Sequence, residues 1–123
     1  MEYAERKALV RSYLGRKVRI EIDRPIGYIH IKDKYTLEYK INYGYIPGVL
    51  GGDGEELDVY LLGVSEPVSE YTGRIIAIAH REDDVEDKLV MVPDGITLNA
   101  EEIYSQISFQ EKYYRTSVEV ADK

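Results

Sequence analysis

The chain has 123 residues, no cysteine and a formal net charge of −7. This length predicts one domain, residues 1–123, with a modest core, and the lack of cysteine excludes disulfides and thiolate chemistry. The negative charge argues against nucleic-acid binding, the longest apolar run (Ile75–Ala79) is too short to cross a membrane, and the charged N-terminus does not resemble a signal peptide, so a cytoplasmic protein is expected.

The first half of the chain predicts one helix and two strands, followed by a long loop. The spacing of apolar residues favours a helix over Glu2–Leu14, which Gly15 ends. Lys17–Asp23 alternates apolar and charged residues in the manner of a half-buried strand, and a short strand is expected at Tyr28–Ile31. Because Tyr35–Gly54 is irregular and rich in tyrosine and glycine, it is predicted to be a long ordered loop.

The second half predicts more short strands and a second helix. The strands are expected at Leu57–Leu62, Arg74–His80, Lys88–Val92 and Thr116–Val120. Asn99 is a good N-cap for a helix that runs to about Tyr113. Short strands with a helix near each end of the chain indicate a small β-barrel with peripheral helices.

Two acidic clusters, Asp53–Asp58 and Glu82–Asp87, each lie at the end of a predicted strand. Crowded carboxylates repel one another unless a cation neutralises them, and Mg²⁺ and Mn²⁺ prefer such hard oxygen ligands. The spacing alone leaves two interpretations open, a metal site or a pair of solvated turns. Neither cluster fits an EF-hand, and the sequence has no P-loop or Rossmann fingerprint.

The remaining residues with catalytic potential give weaker signals. His80 ends an apolar strand, so a hydrogen-bonded histidine at the edge of the core is expected more than a catalytic base. No serine lies in a nucleophile-elbow pattern, so covalent hydrolase chemistry has no support.

Two consecutive segments, Tyr39–Gly48 and Asp53–Val59, resemble family I soluble inorganic pyrophosphatases. In that family a segment such as Asn-Tyr-Gly-Phe-Ile-Pro precedes Asp-Gly-Asp-Pro-Leu-Asp-Val at the same distance. Val18–Ile22 is similar to the family's first strand, and Lys88–Pro93 to the strand after its second acidic loop. The resemblance implies an α+β, mainly β fold, namely a small OB-like five-stranded β-barrel with peripheral helices at both ends.

The resemblance also implies an activity: hydrolysis of inorganic pyrophosphate to phosphate by metal-activated water, with Mg²⁺ or Mn²⁺ as cofactor. The expected partners are a small-molecule phosphate substrate and further copies of the chain in a homo-oligomer, with no nucleic acid and no membrane. The implied metal ligands are Asp53, Glu55, Asp58, Glu21 and, in the second acidic loop, Asp83, Asp84 and Glu86. The implied catalytic residues are Glu55, Tyr43 and Lys88, and the implied substrate contacts are Tyr39, Lys88, Tyr113, Arg115 and Lys32.

The sequence departs from the family pattern at several of these positions. Glu55 replaces the aspartate that helps to activate the attacking water, and the Lys-X-Glu pair after the first strand has no counterpart. An ungapped match places Arg81 where the family has a metal-binding aspartate, and Glu86 where it has another. A small shift would use Asp83 or Asp84 instead. Two alternatives therefore remain open: a hydrolase of another phosphate compound, and a non-catalytic module that binds metal or phosphate.

Overall fold

The computed structural model describes residues 3–31, 34–50, 55–82 and 87–121. These residues form two helices and eight strands. In chain order they are α1 (Tyr3–Arg11), β1 (Lys17–Arg24), β2 (Ile29–Ile31), β3 (Thr36–Glu38), β4 (Asn42–Leu50), β5 (Glu56–Leu61), β6 (Glu70–Arg81), β7 (Lys88–Val92), α2 (Ala100–Glu111) and β8 (Thr116–Val120). Neither helix is long and apolar enough to cross a membrane.

Five strands close into a barrel in the order β1-β4-β5-β7-β6, because β6 also pairs with β1. The long strand β6 makes this closure possible: its first residues pair with β1, and from Arg74 onward it pairs with β7. β8 extends the sheet beyond β6, and β2 and β3 form a separate hairpin. The closed barrel confirms the predicted mainly β fold with two peripheral helices.

The interior of the barrel is one of two apolar cores. Inward-facing residues such as Ile20, Val59, Ile78 and Leu89 are fully buried there, and Val10 of α1 packs on the same cluster. Since successive side chains of a strand point to opposite faces, the neighbouring residues face outward.

The second core lies between the outer face of the sheet and α2. Tyr60, Ala79 and Val90 pack there against Ile103 and Ile107 of the helix. β7 is therefore buried on both faces, and its first residue, Lys88, points to the α2 side together with Val90. This side of the barrel carries the polar pocket described below.

A capping box begins α2, which confirms Asn99 as its N-cap. The Asn99 side chain accepts a hydrogen bond from the Glu102 backbone N–H (2.8 Å), and the Glu102 carboxylate accepts one from the Asn99 backbone N–H (3.0 Å). The helix ends at Glu111, earlier than predicted, and buries Gln110 and Glu111 against the sheet.

The prediction of one long loop over Tyr35–Gly54 was wrong. The segment contains β3, and it contains β4, which lies between β1 and β5 in the barrel. Gly44 explains the close pairing, because a Cβ at this position would lie 1.8 Å from the Glu21 carbonyl oxygen. The strand conformation of β4 depends on pairing with β1 and β5. The local content of tyrosine and glycine does not predict this pairing.

Candidate active site

A polar cavity of about 220 Å³ opens on the outer face of the barrel, beside the end of α2. Its lining comprises Asp23, Arg24, Tyr35, Leu37, Tyr43, Asp58, Arg81, Lys88, Gln110, Tyr113 and Tyr114. Five of these side chains carry formal charge, and they come from β1, β5, β6 and β7. The pocket thus collects ionisable groups from four strands of the barrel.

Lys88 and Asp58 form an ion pair in this pocket. β5 and β7 run parallel with Val59 opposite Leu89, so the preceding residues of the two strands lie side by side. The Lys88 Nζ is 2.5 Å from the Asp58 Oδ2, and the Lys88 side chain is 3% exposed against 25% for Asp58. Burial lowers the pKa of Lys88 below 10.5, although the Asp58 carboxylate opposes this shift.

The buried side chain of Tyr43 lies beside this pair. The Lys88 Nζ is 5.8 Å from the centre of the Tyr43 ring. Burial raises the pKa of Tyr43 well above 10, and the negative charge of Asp58 raises it further. Tyr43 therefore presents a neutral hydroxyl at physiological pH. The structure brings together these three residues, which the sequence indicated.

A β-bulge at the end of β1 adds two residues that the sequence analysis missed. Ile22 lies opposite Gly44 and Arg24 lies opposite Tyr43, so the bulge contains Asp23. A bulge redirects side chains, and here both Asp23 and Arg24 line the pocket. Partial burial raises the pKa of Asp23, and the negative charge of Asp58 adds to this shift. In the sequence, Arg24 precedes Pro25 and resembles an ordinary turn residue.

A chain of hydrogen bonds runs behind the pocket from Arg24 to α2. Arg24 Nη1 donates to the Tyr39 hydroxyl (2.5 Å), which donates to the Gln110 Oε1. The Gln110 Nε2 donates to the Tyr60 hydroxyl (2.6 Å), and Tyr60 donates to the Glu111 Oε2 (2.5 Å). The structure places Tyr39 fully buried behind the pocket wall, where it orients Arg24, and not among the residues that line the cavity.

Arg81 and Glu111 form a buried bidentate ion pair at the other end of this chain. Arg81 donates from Nε to Oε1 (3.0 Å) and from Nη2 to Oε2 (2.6 Å) of a carboxylate that is fully buried. Burial alone would raise the pKa of Glu111, but the hydrogen bonds from Arg81 and Tyr60 outweigh it and hold the pKa below 4.5. The Arg81 guanidinium also lies 3.7 Å from the centre of the Tyr114 ring.

Three other predicted residues do not line this pocket, and one does. Glu21 pairs with Arg19 (3.1 Å), and neither Glu21 nor the exposed Glu55 and Arg115 line the cavity. Tyr113 does line it, half-exposed at the end of α2.

Five predicted residues fall outside the residues that the structure describes: Lys32, Asp53, Asp83, Asp84 and Glu86. Within the described ranges no three His, Cys, Asp or Glu side chains are arranged to hold a metal ion. Asp23 and Asp58 are the two carboxylates that the described part of the chain contributes to the pocket.

The model of the family described as inorganic pyrophosphatase matches residues 10–118 of the chain. The chain belongs to the inorganic pyrophosphatase family. It is 37% identical over 95 residues to the inorganic pyrophosphatase of Sulfolobus acidocaldarius, an alignment that covers 72% of this chain and 55% of that protein. It is 31% identical over 83 residues to the Rickettsia typhi enzyme of the same name, covering 62% and 46%. The chain thus spans about half the length of these relatives.

Solved structures of family members share the fold. The inorganic pyrophosphatase of Ehrlichia chaffeensis superposes with a TM-score of 0.66 at 16% identity, with 88% of each chain covered. The protein from Coxiella burnetii gives a TM-score of 0.61 at 20% identity, covering 87% of this chain and 84% of its own. At such identities the similarity of the structures establishes the fold alone. Any argument about the reaction therefore has to come from the residues of the pocket.

Proposed function

We propose that this chain hydrolyses inorganic pyrophosphate to phosphate with the help of Mg²⁺ or Mn²⁺. The observation that carries the proposal is the pocket in which Asp58, Lys88 and Tyr43 meet, in a chain of the inorganic pyrophosphatase family. A cavity of about 220 Å³ suits a small anion better than a large ligand.

The side chains of the pocket suit phosphoryl transfer, in which positioning and charge stabilisation supply most of the catalysis. Lys88 would contribute positive charge to phosphoryl oxygens from a fixed, buried position. The hydroxyls of Tyr43 and Tyr113 would donate hydrogen bonds to the same oxygens. In this proposal Glu55 would accept the proton of the attacking water, and Arg115 and Lys32 belong to the proposed set of substrate contacts.

The carboxylates of the pocket fit a divalent cation that prefers oxygen ligands. Asp58 and Asp23 would hold it from the described part of the chain, together with Asp53 and a carboxylate among residues 83–86; Glu21 belongs to the same proposed set. A bound divalent cation neutralises phosphate charge and lowers the pKa of water.

The proposal also includes a homo-oligomer in the cytoplasm. Tyr28, Ile29 and Ile31 expose apolar surface on and beside the β2–β3 hairpin, which suits contact with another copy. A chain without cysteine is consistent with a reducing compartment.

The first experiment measures phosphate release from pyrophosphate while Mg²⁺ and Mn²⁺ are titrated. We expect Asp58→Asn to lower the metal-dependent rate by about 10²-fold, because it removes a carboxylate charge that would hold the divalent cation at the reacting centre. Asp94→Asn is the matched control, since Asp94 is exposed and pairs with Lys17 and Arg74 on the surface. A full rate for Asp58→Asn would contradict the proposal.

A second candidate is hydrolysis of a nucleotide or another organic diphosphate. Tyr35 and Tyr113 stack at the pocket mouth with ring centres 5.0 Å apart, and such rings would accept an aromatic base. Higher kcat/KM for nucleoside diphosphates than for pyrophosphate would favour this candidate. Tight binding of pyrophosphate without turnover under any metal would indicate a binding module.

A further inference from the structure

The balance of charge in the pocket differs from that of the whole chain. The pocket-lining residues of the described ranges include three cations, Arg24, Arg81 and Lys88, and two carboxylates, Asp23 and Asp58. The chain as a whole carries a net charge of −7. Within this set Lys88 is paired with Asp58 and Arg81 with the buried Glu111, whereas Arg24 donates to the hydroxyl of Tyr39. An anion that enters this cavity therefore meets the positive charge of Arg24 most directly.

Arg24 reaches the pocket because of the bulge in β1. In a regular strand Arg24 would follow Ile22 to the barrel interior, since residues two apart share a face. The bulge instead sets Arg24 opposite Tyr43, whose side chain lies on the α2 side. The bulge therefore places the Arg24 guanidinium in the cavity. The sequence alternation of β1 alone would not predict this placement.

The Arg24 side chain is held in place from behind. Its Cζ lies 5.4 Å from the ring centre of Tyr39 and 5.9 Å from those of Tyr28 and Tyr43. Its hydrogen bond to the Tyr39 hydroxyl continues through Gln110 into the buried core. A side chain oriented in this way loses little freedom when it binds a ligand.

A guanidinium suits phosphoryl oxygens because its planar set of N–H donors matches two oxygens at once. An ammonium such as that of Lys88 acts more nearly as a point charge. The two groups line the same cavity, so they are placed to contact one diphosphate anion.

We propose that Arg24 is a substrate-binding residue of this chain, and that Arg24 and Lys88 together give the pocket affinity for a diphosphate anion without a divalent cation. The inference rests on the proposed function for its choice of ligand.

Isothermal titration calorimetry of the full chain with pyrophosphate, in excess EDTA, tests this inference. We expect measurable binding by the unmodified chain and an affinity lowered about tenfold or more in Arg24→Gln, because charged hydrogen bonds to the anion are lost. Arg19→Gln is the matched control: it removes the same charge from the same strand, where Arg19 pairs with Glu70 and Glu21 on the surface. The control should keep its affinity.

Two results would overturn the inference. One is no binding of pyrophosphate by the unmodified chain in EDTA, and the other is equal affinity in Arg24→Gln and Arg19→Gln. If circular dichroism shows that Arg24→Gln does not fold, Arg24→Lys decides, because it keeps the charge and loses the planar donors. A reduced affinity in Arg24→Lys supports the role of the guanidinium, and an unchanged affinity overturns it.

The readout separates this inference from the proposed function. Binding in EDTA without hydrolysis under any metal would contradict the proposed function and leave the inference standing. Metal-dependent hydrolysis together with an unaltered affinity of Arg24→Gln for pyrophosphate would support the proposed function and contradict the inference about Arg24.

Discussion

His80 and Arg81 are consecutive residues of β6, yet their side chains enter two different charge networks on opposite faces of the sheet. His80 contacts Asp87 (Nδ1 to Oδ2, 3.0 Å) and Glu119 (Nε2 to Oε1, 2.7 Å) on the α1 side. Arg81 contacts Glu111 on the α2 side. The alternation of side chains along a strand makes this division.

The α1-side network is partly open to solvent. Lys7 of α1 pairs with Asp87 (2.6 Å), and Arg11 pairs with Glu119 (2.9 Å). The Arg11 side chain is 62% exposed and that of Glu119 is 32% exposed. Water and salt therefore screen the Arg11–Glu119 pair strongly and the pairs of Asp87 less, because the Asp87 side chain is 3% exposed.

The α2-side network is closed to solvent, with Arg81 4% and Glu111 0% exposed. Removing one partner of such a pair leaves a buried charge without compensation, whereas an exposed pair costs little to break. Two networks of similar composition should therefore differ strongly in their effect on stability. The hydrogen-bonded His80 agrees with the interpretation of a histidine at the core edge.

The largest expected effect is that of Arg81→Met. It leaves the Glu111 carboxylate buried without a counter-ion, and we expect the free energy of unfolding to fall by about 3–5 kcal/mol. Urea denaturation measures it. The matched variant on the other face, Arg11→Met, breaks an exposed pair and should cost less than about 1 kcal/mol. An equal loss in the free energy of unfolding in the two variants would show that burial does not make the α2-side pair more important for stability than the α1-side pair.

A double variant sharpens this result. Arg81→Met combined with Glu111→Met removes both charges, and replacement of a buried pair by apolar side chains is often close to neutral. We expect it to recover much of the stability lost in the single variant. A double variant as unstable as Arg81→Met would indicate that packing, and not the unpaired charge, causes the loss.

The next effect is a dependence of stability on pH through Glu111. Its pKa is lower in the folded chain than its ordinary value of 4.5, so its contribution is present above 4.5 and is lost as the pH falls through the folded-state pKa. We expect the free energy of unfolding to decrease on acidification in this window. Glu111→Gln, which cannot titrate, should make the decrease shallower in urea denaturation measured at successive pH values. An unaltered slope would contradict a charged Glu111 in the folded state.

A small effect is also expected for His80→Gln on the α1 side. Asp87 keeps Lys7, and Glu119 keeps Arg11, so neither carboxylate is left unpaired. We expect a loss of about 1 kcal/mol in the free energy of unfolding, typical of one hydrogen-bonded group. A loss as large as that of Arg81→Met would mean that the α1-side network stabilises the fold as strongly as the buried one.

Sequence patterns predicted most of the fold but not the central strand of the tyrosine-rich segment. The alternation in β1, the apolar runs of β6 and β7 and the Asn99 cap are local signals, and the structure confirms them. β4 has no comparable signal, because tyrosine suits both a loop and a strand and Gly44 serves a contact with a distant chain segment. Its conformation depends on pairing with β1 and β5.

The candidate site divides in the same way. The resemblance in sequence indicated Asp58, Tyr43 and Lys88, which meet in the pocket. Arg24 could not be assigned to it, because its place in the pocket depends on a bulge. The ungapped match did place Arg81 at a site position of the family, but the pairing of Arg81 with Glu111 depends on a helix that returns over the sheet.

By itself, the sequence determined the alternating strands, the capped second helix and the family, and its resemblance to the family indicated Asp58 and Tyr43 of the candidate site. These features depend on residue type and short spacing along the chain. Only the tertiary structure decided which charges meet. Glu111 lies 30 residues from Arg81 in the chain, and the two are joined because closure of the barrel and docking of α2 bury both at one point. The burial of an ion pair depends on all the elements packed around it. Burial then determines how much the loss of one partner lowers the free energy of unfolding.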